Sequence, residues 1–402
     1  MKQANATVGR IRDPDLQDAL VPLRRDLHGR AEIGLRLPRT QERILEALDG
    51  LPLEISTGTN LDSITAVVRG EGGDGPAVLL RADMDALPLV ERTGLDFAAT
   101  GDAMHACGHD MHSTMLVGAA HLLSDQRATL RGAVTLMFQP GEEGYNGAGH
   151  MIEEGVLDAA GAPLFAAYAL HVTATRPSGL VETRPGPFLA AADRLRVTVR
   201  GRGGHGASPH MAADPVQAAC SMINALQVFV TREFSVLDPV IISVCRISGG
   251  TTHNVIPDTV EFEGTVRYFS TKSQDQLRAA LPRVCRSVAT AHRVEAETTL
   301  EEGFPPTVND TVAAESALAL AVDLFGEDRT ELMPTPRPGS EDFSRILEAV
   351  PGAMLFIGAL APGRELETAP SNHSPEAVFD EAVLSDGAHF YAELALQHVR
   401  AS

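Results

Sequence analysis

The sequence predicts an α/β protein of two domains, the smaller inserted into the larger, and three observations carry this. Through residue 187, helix-like stretches alternate with short apolar runs, the pattern of helices covering a mainly parallel mixed sheet. Around Pro185, Gly186 and Pro187 the pattern changes to half-exposed strands in β-α-β-β-α-β order. After Pro305 and Pro306 the first pattern resumes.

In the first part the predicted strands are Ile64 to Arg69, Ala77 to Ala82, Ala133 to Gln139 and Phe165 to His171, with a turn at Gly70 to Gly75. From Asp193 to Arg200, Leu195, Val197 and Val199 alternate with polar residues, which marks a strand buried on one face. Asp214 and Pro215 supply an N-cap and a first-turn proline for a helix to about Glu233. Strands at Val240 to Ile247 and Thr259 to Phe269, a helix from Ser273 to His292 and a strand from Arg293 to Leu300 complete a ferredoxin-like unit. Helices at Val312 to Phe325 and Asp380 to Val399, with a strand from Ala353 to Gly358, belong to the larger domain. The expected boundaries are therefore 1–187, 188–302 and 303–402.

At 402 residues, 44% of them hydrophobic, the chain can fill two cores. A formal charge of −20 argues against nucleic acid or an anionic membrane surface as partner, since both require basic patches. The amino terminus, MKQANATVGRIRDPDL, has no apolar core of a secretory signal, and no run of about 18 apolar residues occurs. A soluble cytoplasmic protein is expected. The four cysteines, at 107, 220, 245 and 285, form no CxxC pair and no disulfide framework. Cys220, Cys245 and Cys285 read as buried thiols, whereas Cys107 stands apart in the run His105, Ala106, Cys107, Gly108, His109, Asp110.

That run precedes a helix-like segment, Met111 to Leu123, and its thiol and imidazole are half of a metal site. Ligands in such sheets bind beyond the carboxyl ends of the strands, so the residues that follow each apolar run matter most. Asp83 and Asp85 follow the second run, Glu142 and Glu143 the third, and His171 closes the fourth. In Pro140, Gly141, Glu142, Glu143, Gly144 the adjacent carboxylates diverge, so one can hold a metal while the other stays free as a base. A histidine ending FAAYALH needs a partner in an apolar setting, and His373 lies in the loop SNHSPE. Taken together, Cys107, His109, Glu143, His171 and His373 compose a mixed-ligand set for two metals. His105 and His112 are candidates only for supporting hydrogen bonds, and His28 reads as structural.

The segments RADMDALP (81–88), MHACGHDMH (104–112), PGEEG with MIEEGVLD (140–158), HNVIPD with GTVR (253–267), SEDF (340–343) and HSPEAVFDE (373–381) form an ordered set. With them the chain closely resembles the hippurate hydrolase, N-acyl-amino-acid amidohydrolase and auxin-conjugate hydrolase group, part of the dinuclear aminoacylase and carboxypeptidase metallopeptidases. The resemblance implies a catalytic domain interrupted by a lid and dimerisation domain, a homodimer or homo-oligomer formed through that insertion, and two divalent metal ions per subunit (Zn, Mn, Co or Ni). It implies Cys107, His109, Glu143, His171 and His373 as ligands, with Cys107 bridging the metals, and Glu142 as general base. The wider class opens its site with a His-x-Asp motif where this chain has Asp83, Met84, Asp85, so Asp83 is left out of the ligand set and Asp85 is assigned an orienting role.

The implied reaction is hydrolysis of an N-acyl amino acid by metal-activated water, with Glu142 moving the proton from the water to the departing amine. The resemblance also implies that His205, in the glycine-rich loop GRGGHGASPH, stabilises the oxyanion in the partner subunit's site. Asn254 and Arg267 would hold the substrate carboxylate. Three rival readings are a dipeptidase or carboxypeptidase with the same metals, a binding protein that has lost its chemistry, and a cysteine hydrolase using Cys107.

Overall fold

The structure, a computed structural model, describes residues 13–400. Most of the amino-terminal stretch read above as lacking a signal core, residues 1–12, lies outside the described residues. No helix among the described residues is long and apolar enough to cross a membrane.

In chain order, α1 (Pro14–Gly29) and α2 (Pro38–Leu48) precede β1 (Leu53–Thr57), β2 (Ile64–Arg69) and β3 (Ala77–Asp83). Then come α3 (His109–Gln126), β4 (Ala133–Gln139), α4 (Gly147–Glu153), β5 (Leu164–Thr173) and β6 (Val181–Thr183). A second group follows: β7 (Ala192–Arg200), β8 (Gly204–His205), α5 (Pro215–Glu233), β9 (Ile241–Gly249), β10 (Val255–Ile256), β11 (Thr259–Arg267), α6 (Thr271–His292) and β12 (Glu295–Phe304). The last elements are α7 (Thr311–Phe325), β13 (Thr330–Leu332), β14 (Gly352–Gly358) and α8 (Leu384–Val399). The chain divides into two compact units, one holding the residues through Phe188 with Val308–Thr335 and Arg345 onward, the other Leu189–Thr307 with Pro336–Ser344.

The first unit is built on an eight-stranded sheet in the order β1-β2-β4-β3-β5-β14-β6-β13. Its central neighbours β4, β3, β5 and β14 are parallel, as are β6 and β13, and the remaining neighbours are antiparallel. Every residue of β3, β4 and β14 is buried, which is why these strands read as continuous apolar runs rather than alternating ones. Parallel register sets Asp83 opposite Gln139 and His171 opposite Phe356, so the chemistry-bearing residues after each strand emerge at one edge.

Helix α3 carries apolar residues all round and lies in the core against α1, α8 and β3. Leu116, Leu123, Met111 and Met115 are fully buried, each contributing about 1.5–3 kcal/mol of transfer free energy. A side chain at Gly118 would bring its Cβ within 2.7 Å of Ala388 Cβ, so the close approach of α3 to α8 requires glycine there.

The second unit is a four-stranded antiparallel sheet, ordered β9-β11-β7-β12, with α5 and α6 on one face. Leu195, Val197 and Val199 face Met222, Leu226, Leu277 and Leu281 in its core, as the alternation predicts. Asp214 caps α5 by accepting the Val216 N–H. Helix α6 begins before the predicted Ser273 because Ser270 is its cap, accepting the Ser273 N–H. Strand β12 begins later than Arg293 because that residue ends α6 in a left-handed conformation, φ 60°.

Two cysteine expectations are corrected. Cys285 is buried, but Cys220 on α5 and Cys245 on β9 are exposed. Cys220 falls on the outer face of an amphipathic helix, and Cys245 sits at a register shift in an edge strand, where alternation no longer reports burial.

Candidate metal centre

The carboxyl edge of β3, β4 and β5 gathers the polar residues of the first unit. The loop 104–108 is buried and enters α3 through Gly108, whose φ of 88° and whose neighbour Val172, 2.3 Å from a hypothetical Cβ, both exclude other residues. This turn sends Cys107 and His109 toward the ends of β3 and β5.

After β4 the turn at Gly141, φ 76°, carries Glu142 and Glu143. Asp85 fixes that turn, with its two oxygens accepting the backbone N–H of Glu142 at 3.0 Å and of Glu143 at 3.1 Å. The same carboxylate lies 3.5 Å from His109 Nδ1, which orients the ring. Asp85 thus links the Glu142–Glu143 turn to His109.

His171 donates from Nδ1 to the Val172 carbonyl at 2.8 Å, leaving Nε2 to face Cys107 Sγ at 3.4 Å. His373 has φ 69° and donates its backbone N–H to the Ala106 carbonyl at 2.9 Å. Its Nε2 lies 3.3 Å from Cys107 Sγ and 3.2 Å from Glu143 Oε1. The structure thus brings together all five sequence-predicted ligands.

They form two triads, Cys107 with His109 and His171, and Cys107 with Glu143 and His373, the donor atoms of each lying within 4.8 Å of one another. Only Cys107 belongs to both of these. A mixed set of S, N and O donors around a shared thiolate suits two borderline divalent cations. Both ring nitrogens of His109 are buried without a hydrogen-bond partner, a costly arrangement that a cation relieves. The residues present therefore fit a dinuclear centre.

Electrostatics agree with a metal-binding thiolate. Burial opposes ionisation of Cys107, but His171 and His109 outweigh it and hold the thiol well below its usual range. Hydrogen bonds with Cys107 and Glu143 raise His373 to about 10, so a cation arriving there competes with a proton.

Asp83, omitted from the ligand set, is fully buried and already engaged: Arg81 Nη1 donates to Oδ2 at 2.7 Å and His112 Nδ1 to Oδ1 at 2.5 Å. It also stands 3.7 Å from His109 Nε2 and composes a further triad with His109 and His112. Because both its oxygens are taken, we read it as support. Burial lowers His112 to about 4, and its Nε2 accepts the Val172 N–H at 2.8 Å, so the ring is neutral with its proton directed at Asp83. His105, the other candidate for support, is buried with neither ring nitrogen hydrogen-bonded.

Sequence reasoning missed Asn372. Its amide touches three backbone groups near the site, yet nothing in SNHSPE distinguishes it from any loop asparagine. It also missed the buried cluster at the start of α3, where Asp110 meets Arg24 Nε at 2.9 Å and His28 Nδ1 at 2.8 Å.

His205, Asn254 and Arg267 belong to the second unit. His205 forms part of the two-residue strand β8, within the glycine-rich loop, and pairs with Val255 of β10. It is exposed, and the Asn254 carbonyl accepts the N–H of the following Gly206 at 2.8 Å. Arg267 ends β11, half-buried, with Nε donating to Thr265 Oγ1 at 3.1 Å. Thr259 begins that strand, so eight residues at about 3.3 Å each, roughly 26 Å, lie between its ends, and Asn254 precedes it in the chain.

Residues 79–397 match the family described as Peptidase family M20/M25/M40. The chain is 34% identical to an N-acetylcysteine deacetylase of Bacillus subtilis, across 96% of this chain and 98% of that protein. It is 34% identical to thermostable carboxypeptidase 1 of Saccharolobus solfataricus (95% and 96% covered) and 37% identical to the IAA-amino acid hydrolase ILR1-like 4 of Arabidopsis thaliana (96% and 87%). Among solved structures it resembles the Bacillus subtilis YXEP protein, described as a dinuclear metal binding peptidase, with a TM-score of 0.83 and 31% identity over 96% of this chain and 99% of that one. With a family match over most of its length and relatives of this similarity across nearly all of it, the chain belongs to peptidase family M20/M25/M40.

Proposed function

We propose that this member of the family hydrolyses the amide bond of N-acyl amino acids, hippurate-like or N-acetylated, with two divalent ions held by Cys107, His109, Glu143, His171 and His373. The observation that carries the reading is the pair of triads sharing Cys107, with Glu142 beside them, its carboxylate within 4.8 Å of His109 and Glu143. Bound there, divalent cations make water a nucleophile near neutral pH and polarise the amide carbonyl.

The protein's own groups supply the rest. Glu142 accepts the water proton and returns it to the departing amine, and Asp85 holds the turn that carries Glu142 and Glu143 through their backbone N–H groups.

His205 acts on the oxyanion, and Asn254 and Arg267 on the substrate carboxylate. Arg267 ends β11, a strand of roughly 26 Å, and Asn254 precedes its far end, which favours supply of the two from different copies of the inserted unit. A homodimer through that unit meets this need. Its support is the open edge of β9, with Ile241 and Ile247 exposed, and Val228, Val236 and Leu237 exposed on and after α5.

A second reading, peptide cleavage, is favoured by the similarity to a carboxypeptidase. A panel of hippurate, N-acetyl amino acids and dipeptides, each with Mn²⁺, Co²⁺, Zn²⁺ or Ni²⁺, separates the two. The proposal expects turnover of the acyl amino acids that chelation abolishes. Turnover of dipeptides alone would overturn it, and activity that survives thorough chelation would point to Cys107 as a nucleophile.

A further inference from the structure

The loop that delivers His373 is exposed and short of apolar anchors, yet this residue has to meet Cys107 and Glu143 to within a fraction of an ångström. One side chain accounts for that accuracy. Asn372 Nδ2 donates to the Cys107 carbonyl at 3.2 Å and to the Val172 carbonyl at 3.0 Å, while its Oδ1 accepts the Ala174 N–H at 3.0 Å.

These partners lie on two segments distant in sequence, the loop before α3 and the end of β5, and Asn372 joins them to a third. The orientation of the amide follows from the partners, because two carbonyls require donors and the Ala174 N–H requires an acceptor. No other side chain of this size satisfies all three. Aspartate would set its carboxylate against two carbonyl oxygens, and alanine would leave all three contacts unmade.

The Val172 carbonyl that Asn372 holds also accepts Nδ1–H of His171, and that bond turns His171 Nε2 toward Cys107. Fixing this carbonyl therefore fixes the face that His171 presents. The residue following Asn372 is His373, whose left-handed backbone is tied to Ala106.

We propose that Asn372 is a positioning residue of the dinuclear centre, acting chiefly on the cation held by Cys107, Glu143 and His373. This rests on the metal-centre reading given above. His109 and His171 have independent restraints, from Asp85 and from β5, whereas His373 sits in an irregular loop held by its backbone bond to Ala106 and by Asn372. Loss of the amide should weaken the Glu143–His373 position more than the His109–His171 position.

The test is a titration of metal-stripped wild type, Asn372→Asp and Asn372→Ala with Zn²⁺ and with Mn²⁺, read as metal per chain by elemental analysis and as affinity by calorimetry. Thermal unfolding of the stripped proteins is measured alongside. Wild type is expected to take up two ions. Both variants are expected to keep one near wild-type affinity and to bind the other about 10- to 100-fold more weakly. If Asn372→Asp fails to fold, Asn372→Ala, which introduces no repulsion, decides the matter. Two ions at wild-type affinity in Asn372→Ala, or equal weakening of both, would overturn the positioning role and leave the centre intact. A wild type that takes up no divalent metal would overturn the centre and this role with it.

Discussion

Asp83 Oδ1 and His112 Nδ1 meet at 2.5 Å with both side chains out of water. Burial opposes ionisation of Asp83, but His109, Arg81 and His112 hold it well below the usual carboxylate range. Asp83→Asn removes the charge that this buried group was built around, a loss of about 3–5 kcal/mol. We expect a marked fall in thermal stability with two metals still bound per folded chain. A variant of unchanged stability carrying one metal would instead make Asp83 a ligand.

Cys107 belongs to both ligand triads and is nearly inaccessible, whereas Cys220 and Cys245 are exposed. Iodoacetamide should modify Cys220 and Cys245 at similar rates with or without chelator. Cys107 should react only after chelation, when its low pKa makes the freed thiolate reactive. Peptide mapping by mass spectrometry reads this directly. Equal labelling of Cys107 in the metal-loaded protein would argue against its being a ligand.

At Gly108 both φ and space exclude a side chain. Gly108→Ala should cost about 1–3 kcal/mol through its contact with Val172. Since Val172 anchors His112 and Asn372, metal affinity should fall as well. A melting curve and a metal titration like those of wild type would contradict the packing described.

His28 is buried between Asp110, Glu91 and Arg24. Burial works against its protonated form, but Asp110 and then Glu91 prevail and raise its pKa. A raised folded pKa means that the contribution of charged His28 is complete below its unfolded value, about 6.5, and is lost as pH climbs through the higher folded value. The stability advantage of wild type over His28→Gln should therefore be largest at pH 6 and shrink toward pH 9. Thermal unfolding across that range checks it, and an advantage that grows with pH would reverse the sign.

Much of the fold is legible in the sequence because its signals are local. The buried runs at β2 and β4 and the Asp214–Pro215 start of α5 have the predicted limits. Where a boundary moved, a cap moved it: Ser270 starts α6 early, and Asp380, expected to begin the last helix, instead caps a short turn before α8. Cys220 and Cys245 were misread because a thiol carries no sign of which face it occupies. The site divides in the same way. Glu142 and Glu143 follow β4, and His171 lies near the end of β5, so the strand-end rule alone locates them, but Asn372 and Asp83 act through contacts spanning up to 265 residues, which no local pattern encodes.

The central claim is that a cation pair and the Glu142 carboxylate together hydrolyse an amide. It is tested most directly by the rate at which Glu142→Gln, at a metal content matched to wild type, hydrolyses an N-acetyl amino acid or hippurate. A fall of about 10²- to 10⁴-fold with both metals retained is the predicted result. Hydrolysis at the wild-type rate would contradict the account.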